Sequence, residues 1–187
     1  MPDRFHIEKT PLPGLLVMRR EPLRDDRGLF ERMLCVQELA PWLAGRTIVQ
    51  INRSSTAPPG TVRGMHSQRP PHAEMKIVTC LRGEVFDVAV DIRRNSPTFL
   101  RWHGEILREG DHRSMLIPEG FAHGFQTLAP ACDMLYLHTA AYQPQSEVRL
   151  NAEDPALAIA WPRPITGLSN RDRLNPMLTP DFSGVDP

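Results

Sequence analysis

Glu84–Ile92 reads EVFDVAVDI, with Phe86, Val88, Val90 and Ile92 at every second position and Asp87 and Asp91 between them. A period of two, filled by β-branched and aromatic residues, is the pattern of a strand rather than a helix. On either side, Met75–Leu81 (MKIVTCL), Arg113–Ile117 (RSMLI), Phe125–Leu128 and Met134–Thr139 (MLYLHT) are equally short and apolar. Turn signals punctuate these runs: Ala57-Pro-Pro-Gly60, Arg69-Pro-Pro71, Arg82-Gly83, Arg94-Asn-Ser-Pro97, Glu109-Gly-Asp111 and Pro118-Glu-Gly120. Strands at this spacing predict an all-β sandwich or jelly-roll barrel. Nineteen prolines argue against long helices, because an interior proline removes a hydrogen bond and clashes with the preceding turn. Only Val36–Ala44 (VQELAPWLA) reads as a short helix, and Pro41 is expected to interrupt it. No repeat or linker divides residues 1–187, so one domain is expected, with a polar, Pro-rich segment from about 165 to 187 lying irregularly on the barrel.

The chain has 187 residues and 21.2 kDa, enough to bury a sizeable core. Its 22 basic residues balance 22 acidic ones, which removes the bulk electrostatic case for nucleic acid or an anionic membrane as partner. No apolar run approaches the ~20 residues that span a bilayer, and none follows Met1, so neither export nor insertion is expected. Cys35, Cys80 and Cys132 are odd in number and lack a CxxC spacing. A disulfide framework or zinc cage is not expected, and a reducing cytoplasm fits best.

Four polar features interrupt the strand pattern. Arg63-Gly-Met-His-Ser-Gln68 precedes Lys76 by a short Pro-rich loop, whose length suggests a hairpin placing His66 and Lys76 on neighbouring strands. Pro118–Phe125 (PEGFAHGF) is a turn feeding a strand, with His123 at its start. Tyr136 and Tyr142, six apart, would face the same way on a continuous strand, where an interior phenol needs a partner or a ligand. Leu168-Ser-Asn-Arg-Asp172 places an acid in the polar C-terminal segment. Taken singly, each reads as a rim histidine, a core aromatic or a solvated loop.

Together, in this order, the strings resemble one family. RGMHSQ, EMKIV, GEVFDVAVDIRRNSPTF, IPEGFAHGF, LYLHTAAYQPQSE, NAEDPALAIAWP and LSNRD, with Asp25–Phe30 (DDRGLF) and Gln50-Ile-Asn-Arg-Ser54, resemble the dTDP-4-dehydrorhamnose 3,5-epimerases from about Phe5 to Leu178. The resemblance implies a cupin-like jelly roll with short peripheral helices, acting without cofactor or metal on a nucleotide-linked 4-keto-6-deoxy sugar. The C4 ketone acidifies the hydrogens on C3 and C5. A base can therefore remove one, and an acid across the ring can return a proton to the other face.

By motif position, His66 resembles the family's base, Asp172 its hydrogen-bonded carboxylate, Tyr136 its proton donor and Lys76 the cation near the enolate. Arg63 and His123 match residues of the sugar and phosphate site. Arg27, Gln50, Asn52, Tyr142, Glu147 and Arg171 complete the substrate-binding set that the resemblance implies. A homodimer is implied too, because the family pairs N-terminal strands between subunits. Arg63 and His66 are three apart and would point oppositely on an ideal strand, so a bulge at Gly64 is expected if both line one pocket. Three positions depart from the family: Arg32 stands where a glutamate is usual, Ser67 replaces an aromatic and Arg171 replaces a lysine. These leave open the nucleotide, the sugar, and whether C3, C5 or both are inverted. Two rival readings also stand. One is a metal-dependent cupin, in which His66, Glu74 and His123 would be ligands but Gln68 replaces the second histidine of the first motif. The other is a non-catalytic sugar-nucleotide-binding cupin.

Overall fold

Thirteen short strands account for most of the regular structure in a computed structural model that describes residues 4–186. They are β1 (Phe5–Lys9), β2 (Leu16–Arg20), β3 (Leu23–Asp25), β4 (Gly28–Phe30), β5 (Gln50–Thr56), β6 (Val62–Gln68), β7 (Lys76–Arg82), β8 (Glu84–Asp91), β9 (Trp102–Arg108), β10 (Arg113–Ile117), β11 (Phe121–Thr127), β12 (Cys132–His138) and β13 (Glu147–Arg149). One sheet runs β1-β2-β10-β7-β12-β5 and the other β13-β6-β11-β8-β9, with every pairing antiparallel. The non-sequential strand orders and the two facing antiparallel sheets make this an all-β, cupin-like jelly roll.

Three apolar layers follow from strand alternation. Val17, Val78, Cys80, Val85, Met115, Phe125 and Met134 fill the space between the sheets. Met18, Ile77, Leu116 and Leu137 point outward from the larger sheet, under Leu39 and Leu43. The expected alternation of β8 holds, but the orientation is informative. Val88, Val90 and Ile92 face outward and are covered by Leu150, Leu157 and Val185 of the C-terminal third, while Asp87 lies on the inward face with Val85 and Ala89. Both faces of this strand are therefore buried.

Asp91 shows how the segment after β8 is held. Its carboxylate accepts from Arg93 Nε (2.9 Å) and Nη2 (2.7 Å), from the Arg93 amide (3.1 Å), and from the hydroxyls of Ser96 and Thr98 (2.6 Å each). Burial opposes its ionisation, but these donors outweigh burial and hold the carboxyl below its usual range.

Several expectations are corrected. β6 and β7 belong to different sheets, so His66 and Lys76 are not on neighbouring strands. The loop at 69–75, stiffened by Pro70 and Pro71, crosses from one sheet to the other, and the two residues meet across the barrel. Pro41 does not interrupt a helix over 36–44. It sits in the first turn of α1 (Ala40–Leu43), where its missing N–H has no intrahelical acceptor to lose. His123 lies in the middle of β11, because that strand begins four residues earlier than its apolar run suggests. β12 ends at His138, so Tyr142 occupies a loop rather than a continuation of the strand carrying Tyr136. The strands β1, β5 and β9 carry too many polar residues to be legible as runs.

Replacing Asp91 by alanine strands the partly buried Arg93 guanidinium and two hydroxyls, and is expected to cost about 3 kcal/mol at pH 7. Because the folded carboxyl titrates below its unfolded value, its contribution is complete above about pH 4 and fades as pH falls through the folded value. Chemical denaturation at pH 7 and pH 3 should show the gap between the two proteins narrowing in acid.

Candidate active site

The larger sheet is apolar at one end of its inner face and polar at the other. Along β12 the inward residues run Met134, Tyr136, His138, and along β7 they run Cys80, Val78, Lys76. The polar ends open into a cavity of about 300 Å³, lined also by Asn52, Ser54, Arg63, His66, Glu74, His123, Phe125, Tyr142, Glu147 and Asp172.

His66 enters from β6 and Tyr136 from β12, so an imidazole and a phenol come from opposite sheets to one space. The expected bulge provides the imidazole's direction. Arg63 pairs with Phe125 and His66 with His123, so three steps on β6 oppose two on β11. Gly64 takes φ +130°, and a Cβ there would lie 2.6 Å from the Cα of Gly124. Only glycine permits this approach, and the extra residue turns both Arg63 and His66 toward the cavity.

His66 Nε2 is 2.7 Å from Asp172 Oδ1. Asp172 is buried in α2 (Asn170–Arg173), and its amide donates to the Ser169 hydroxyl oxygen that caps this turn. Burial disfavours its charge, but the hydrogen bond and charge of His66, with help from Ser169 and the Gly64 backbone, keep the carboxyl below its ordinary value. With Nε2 engaged by the carboxylate, Nδ1 is the nitrogen left for a ligand. Tyr136 is hydrogen-bonded through its hydroxyl to Ser54 Oγ at 2.9 Å. Burial pushes the phenol above its ordinary value, so it stays protonated well past neutrality. His123 Nε2 lies 2.7 Å from Asp87 Oδ1, and its ring meets Tyr136 edge-on at 6.1 Å. Lys76 Nζ donates to the main-chain oxygen of His66 (3.1 Å) and pairs with Glu74 (3.2 Å), linking the two sheets at the polar end.

The remaining residues of the implied set are distributed unevenly. Asn52, Arg63, Tyr142 and Glu147 line the cavity. Arg171 stands at its mouth, ion-paired with Glu147 and donating to the Tyr142 hydroxyl at 3.2 Å. Gln50 does not line it; its side-chain oxygen accepts from the Tyr142 amide and ties down that loop. Arg27 is elsewhere altogether, on the β3–β4 hairpin with its side chain 90% exposed and paired to Asp25. Arg32 is bound to Glu38, and Glu31 to Arg20 and His112, so neither reaches the cavity.

Sequence reasoning passed over Ser54, Asp87 and His138. A count of two from Tyr136 on β12 finds His138, whereas Asp87 carries no such signal, because an acid alternating with apolar residues reads equally well as the solvent-facing side of a strand. Of the residues the metal-cupin reading would use, Gln68 is held by the main chain of His72, Ala141 and Gln143, and Glu74 by Lys76 and His138. Among the described residues no group of three His, Cys, Asp or Glu side chains is arranged to hold a metal ion.

A jelly roll that gathers an imidazole–carboxylate pair, a buried phenol and a lysine into one cavity defines the class of cupins equipped for proton transfer. Comparison with known proteins narrows the class. The family model for dTDP-4-dehydrorhamnose 3,5-epimerase matches residues 9–180. The Salmonella typhimurium dTDP-4-dehydrorhamnose 3,5-epimerase is 42% identical over 175 residues, covering 92% of this chain and 94% of its own. Among solved structures, the Bacillus anthracis dTDP-4-dehydrorhamnose 3,5-epimerase with TDP and PPi bound superposes with TM-score 0.89 at 36% identity, covering 93% of this chain and 99% of that one. The Legionella pneumophila dTDP-6-deoxy-D-glucose-3,5-epimerase in complex with dTDP-4-keto-L-rhamnose gives 0.87 at 36% identity, covering 92% of each. The chain belongs to the dTDP-4-dehydrorhamnose 3,5-epimerase family and is an enzyme of the isomerase class.

Gly64→Ala should test the bulge. The added methyl collides with Gly124 backbone in a conformation that alanine resists, which is expected to cost about 1–3 kcal/mol of stability. Turnover should fall more steeply than the melting temperature, since the His66 direction is lost with the bulge.

Proposed function

We propose that the chain inverts C3 and C5 of dTDP-4-dehydro-6-deoxyglucose to give dTDP-4-dehydrorhamnose, with His66 as base, Tyr136 as acid, and Asp172 and Lys76 in support. The observation that carries this reading is the entry of His66 and Tyr136 from opposite sheets into one cavity. A sugar ring held between them presents one face to a base and the other to a proton donor.

In this mechanism His66 Nδ1 takes the proton from the carbon beside the C4 ketone. The C–H electron pair moves into the C3–C4 or C4–C5 bond, and the carbonyl pair moves onto oxygen, giving an enolate. Asp172 holds the other imidazole nitrogen and stabilises the imidazolium that forms. Lys76, the ammonium nearest His66, faces the developing oxyanion. Tyr136 then delivers its proton from the opposite face as the enolate collapses to the ketone, and the phenolate left behind is hydrogen-bonded by Ser54. Solvent restores both side chains, and a second pass with the ring re-seated inverts the other carbon. The ketone is the electron sink, so this route needs no redox partner. In this reading Arg63, His123, Asn52, Tyr142 and Glu147, which line the cavity, and Arg171, paired with Glu147, hold the sugar and diphosphate around this axis.

Incubation with dTDP-4-keto-6-deoxyglucose in D2O, followed by NMR, tests the reading. Deuterium should enter C3 and C5 with wild-type protein, and incorporation at one carbon alone would indicate a mono-epimerase. His66→Ala and Asp172→Ala should lose at least about a hundredfold in turnover, the scale of general base catalysis. Tyr136→Phe should depress product formation more than washout of substrate hydrogen. Unchanged turnover in His66→Ala would remove the base assignment.

We further infer a homodimer formed through the N-terminal strands. Leu23, Leu29 and Phe30 of the β3–β4 hairpin are half or more exposed, as are Val49 and Ile51 beside and on the edge strand β5. An exposed apolar hairpin and an apolar sheet edge are surfaces that a second copy would cover. Arg27 projects from that hairpin, so its expected substrate contact would be made across the interface. Light scattering should return twice 21.2 kDa, and Phe30→Asp should shift it toward 21.2 kDa. The unpaired Cys35, Cys80 and Cys132 support a reducing, cytoplasmic setting, and among the described residues no helix is long and apolar enough to cross a membrane.

A further inference from the structure

Glu74 and His138 belong to no role in the mechanism above, yet they form a third carboxylate–imidazole pair on the cavity wall. Glu74 precedes β7 and His138 ends β12, and their side chains are 8% and 12% exposed. His138 Nδ1 and Glu74 Oε2 are 2.7 Å apart, while the other carboxylate oxygen, Oε1, accepts from Lys76 Nζ at 3.2 Å. The far side of the imidazole continues the chain. His138 Nε2 lies 3.3 Å from Asn52 Nδ2, and the ring stacks on Tyr136 with centroids 6.1 Å apart and planes 22° from parallel.

We propose that Glu74 and His138 are positioning residues that fix Lys76 and Asn52 for the sugar nucleotide. This role rests on the assignment of the cavity as the epimerase site. A buried carboxylate is costly unless both oxygens are satisfied, and an apolar side chain would serve packing at lower cost. Here each oxygen holds a different group, one from each of two adjacent strands. Burial disfavours the charge on Glu74, but the Lys76 ammonium and the His138 hydrogen bond outweigh it and keep the carboxyl below its ordinary value.

The ionised carboxylate has two structural effects. Lys76 carries its ammonium on a four-carbon stem that would otherwise sweep the open end of the barrel, and Glu74 on one side with the His66 carbonyl on the other confines it. With the opposite charge alongside, Lys76 acts through aimed N–H donors more than through net charge. On the imidazole, a carboxylate at Nδ1 selects the tautomer with its proton there, and Nε2 becomes an acceptor. Only the NH2 end of the Asn52 carboxamide can satisfy that lone pair, so the amide is oriented and its oxygen is left to accept from a ligand. The wall therefore favours a donor at that point, a sugar hydroxyl or a pyrimidine N–H.

Steady-state kinetics of the full chain with dTDP-4-keto-6-deoxyglucose, with melting temperatures measured alongside, test the proposal. His138→Ala frees Asn52 and should raise KM about five- to tenfold, the scale of one hydrogen bond, with kcat within about twofold. His138→Gln, whose carboxamide oxygen can accept from Asn52, should recover most of that loss; a residue needed only for folding would show no such rescue. Glu74→Ala releases Lys76 as well, and should lower kcat in addition to raising KM. Should that variant fail to fold, the isosteric Glu74→Gln should still lower kcat at a wild-type melting temperature, because it removes the charge that confines Lys76. Wild-type KM and kcat in His138→Ala and Glu74→Gln, or a His138→Gln protein as impaired as the alanine variant, would overturn the proposal. His66→Ala measured in parallel separates the two levels. If it is inactive while these variants are normal, only the positioning role fails; if it is fully active, the site assignment fails with it.

Discussion

The contact on which the site depends is the 2.7 Å hydrogen bond between His66 and Asp172, residues 106 apart in sequence. It joins a barrel strand to a four-residue helix in the C-terminal segment, and it does two things at once. It fixes which imidazole nitrogen is free, and in the proposed mechanism it gives the imidazolium a charge to rest against. Both require that α2 be held in place. The Ser169 cap, the Thr61–Gly167 bridge and the anchoring of Asn175 to the Leu150 main chain do this from three directions.

A second constraint comes from the barrel wall. A regular strand would send either Arg63 or His66 to the outer face, where Met65 packs with Val88 and Val90. The Gly64 bulge removes the conflict, and it can exist because Gly124 on the partner strand has no side chain either. Close approach of two glycines thus directs Arg63 and His66 into one cavity, and the RG-x-H and H-G spacings are two sides of one contact.

The cavity itself is a graded interior. One end of the space between the sheets is filled by Val, Met, Phe and Cys side chains, which exclude water and raise the Tyr136 phenol. The other end holds three carboxylate–imidazole pairs, Asp172–His66, Asp87–His123 and Glu74–His138, around the Tyr136 phenol and the Lys76 ammonium. In each pair the carboxylate is the more buried member, so the imidazoles face the ligand space with their outer nitrogens defined from behind.

Much of this was written locally. The alternation of Glu84–Ile92, the turn residues between strands and the spacing of RGMHSQ, EMKIV and LSNRD are short-range signals, and they determine an all-β chain of this family and name the groups its chemistry would use. The Arg63–His66 offset even forecast the bulge. What the tertiary structure alone decided is which strands face each other. His66 and Lys76 looked like partners in a hairpin and instead meet across the barrel, Tyr142 reaches the cavity from a loop, and Arg27 stands outside it. The pairing of Glu74 with His138, 64 residues apart, is invisible in either neighbourhood. Local sequence sets the period of a strand and the chemistry of its side chains, whereas the meeting of two strands depends on sheet order, which the whole chain settles when it buries its apolar faces.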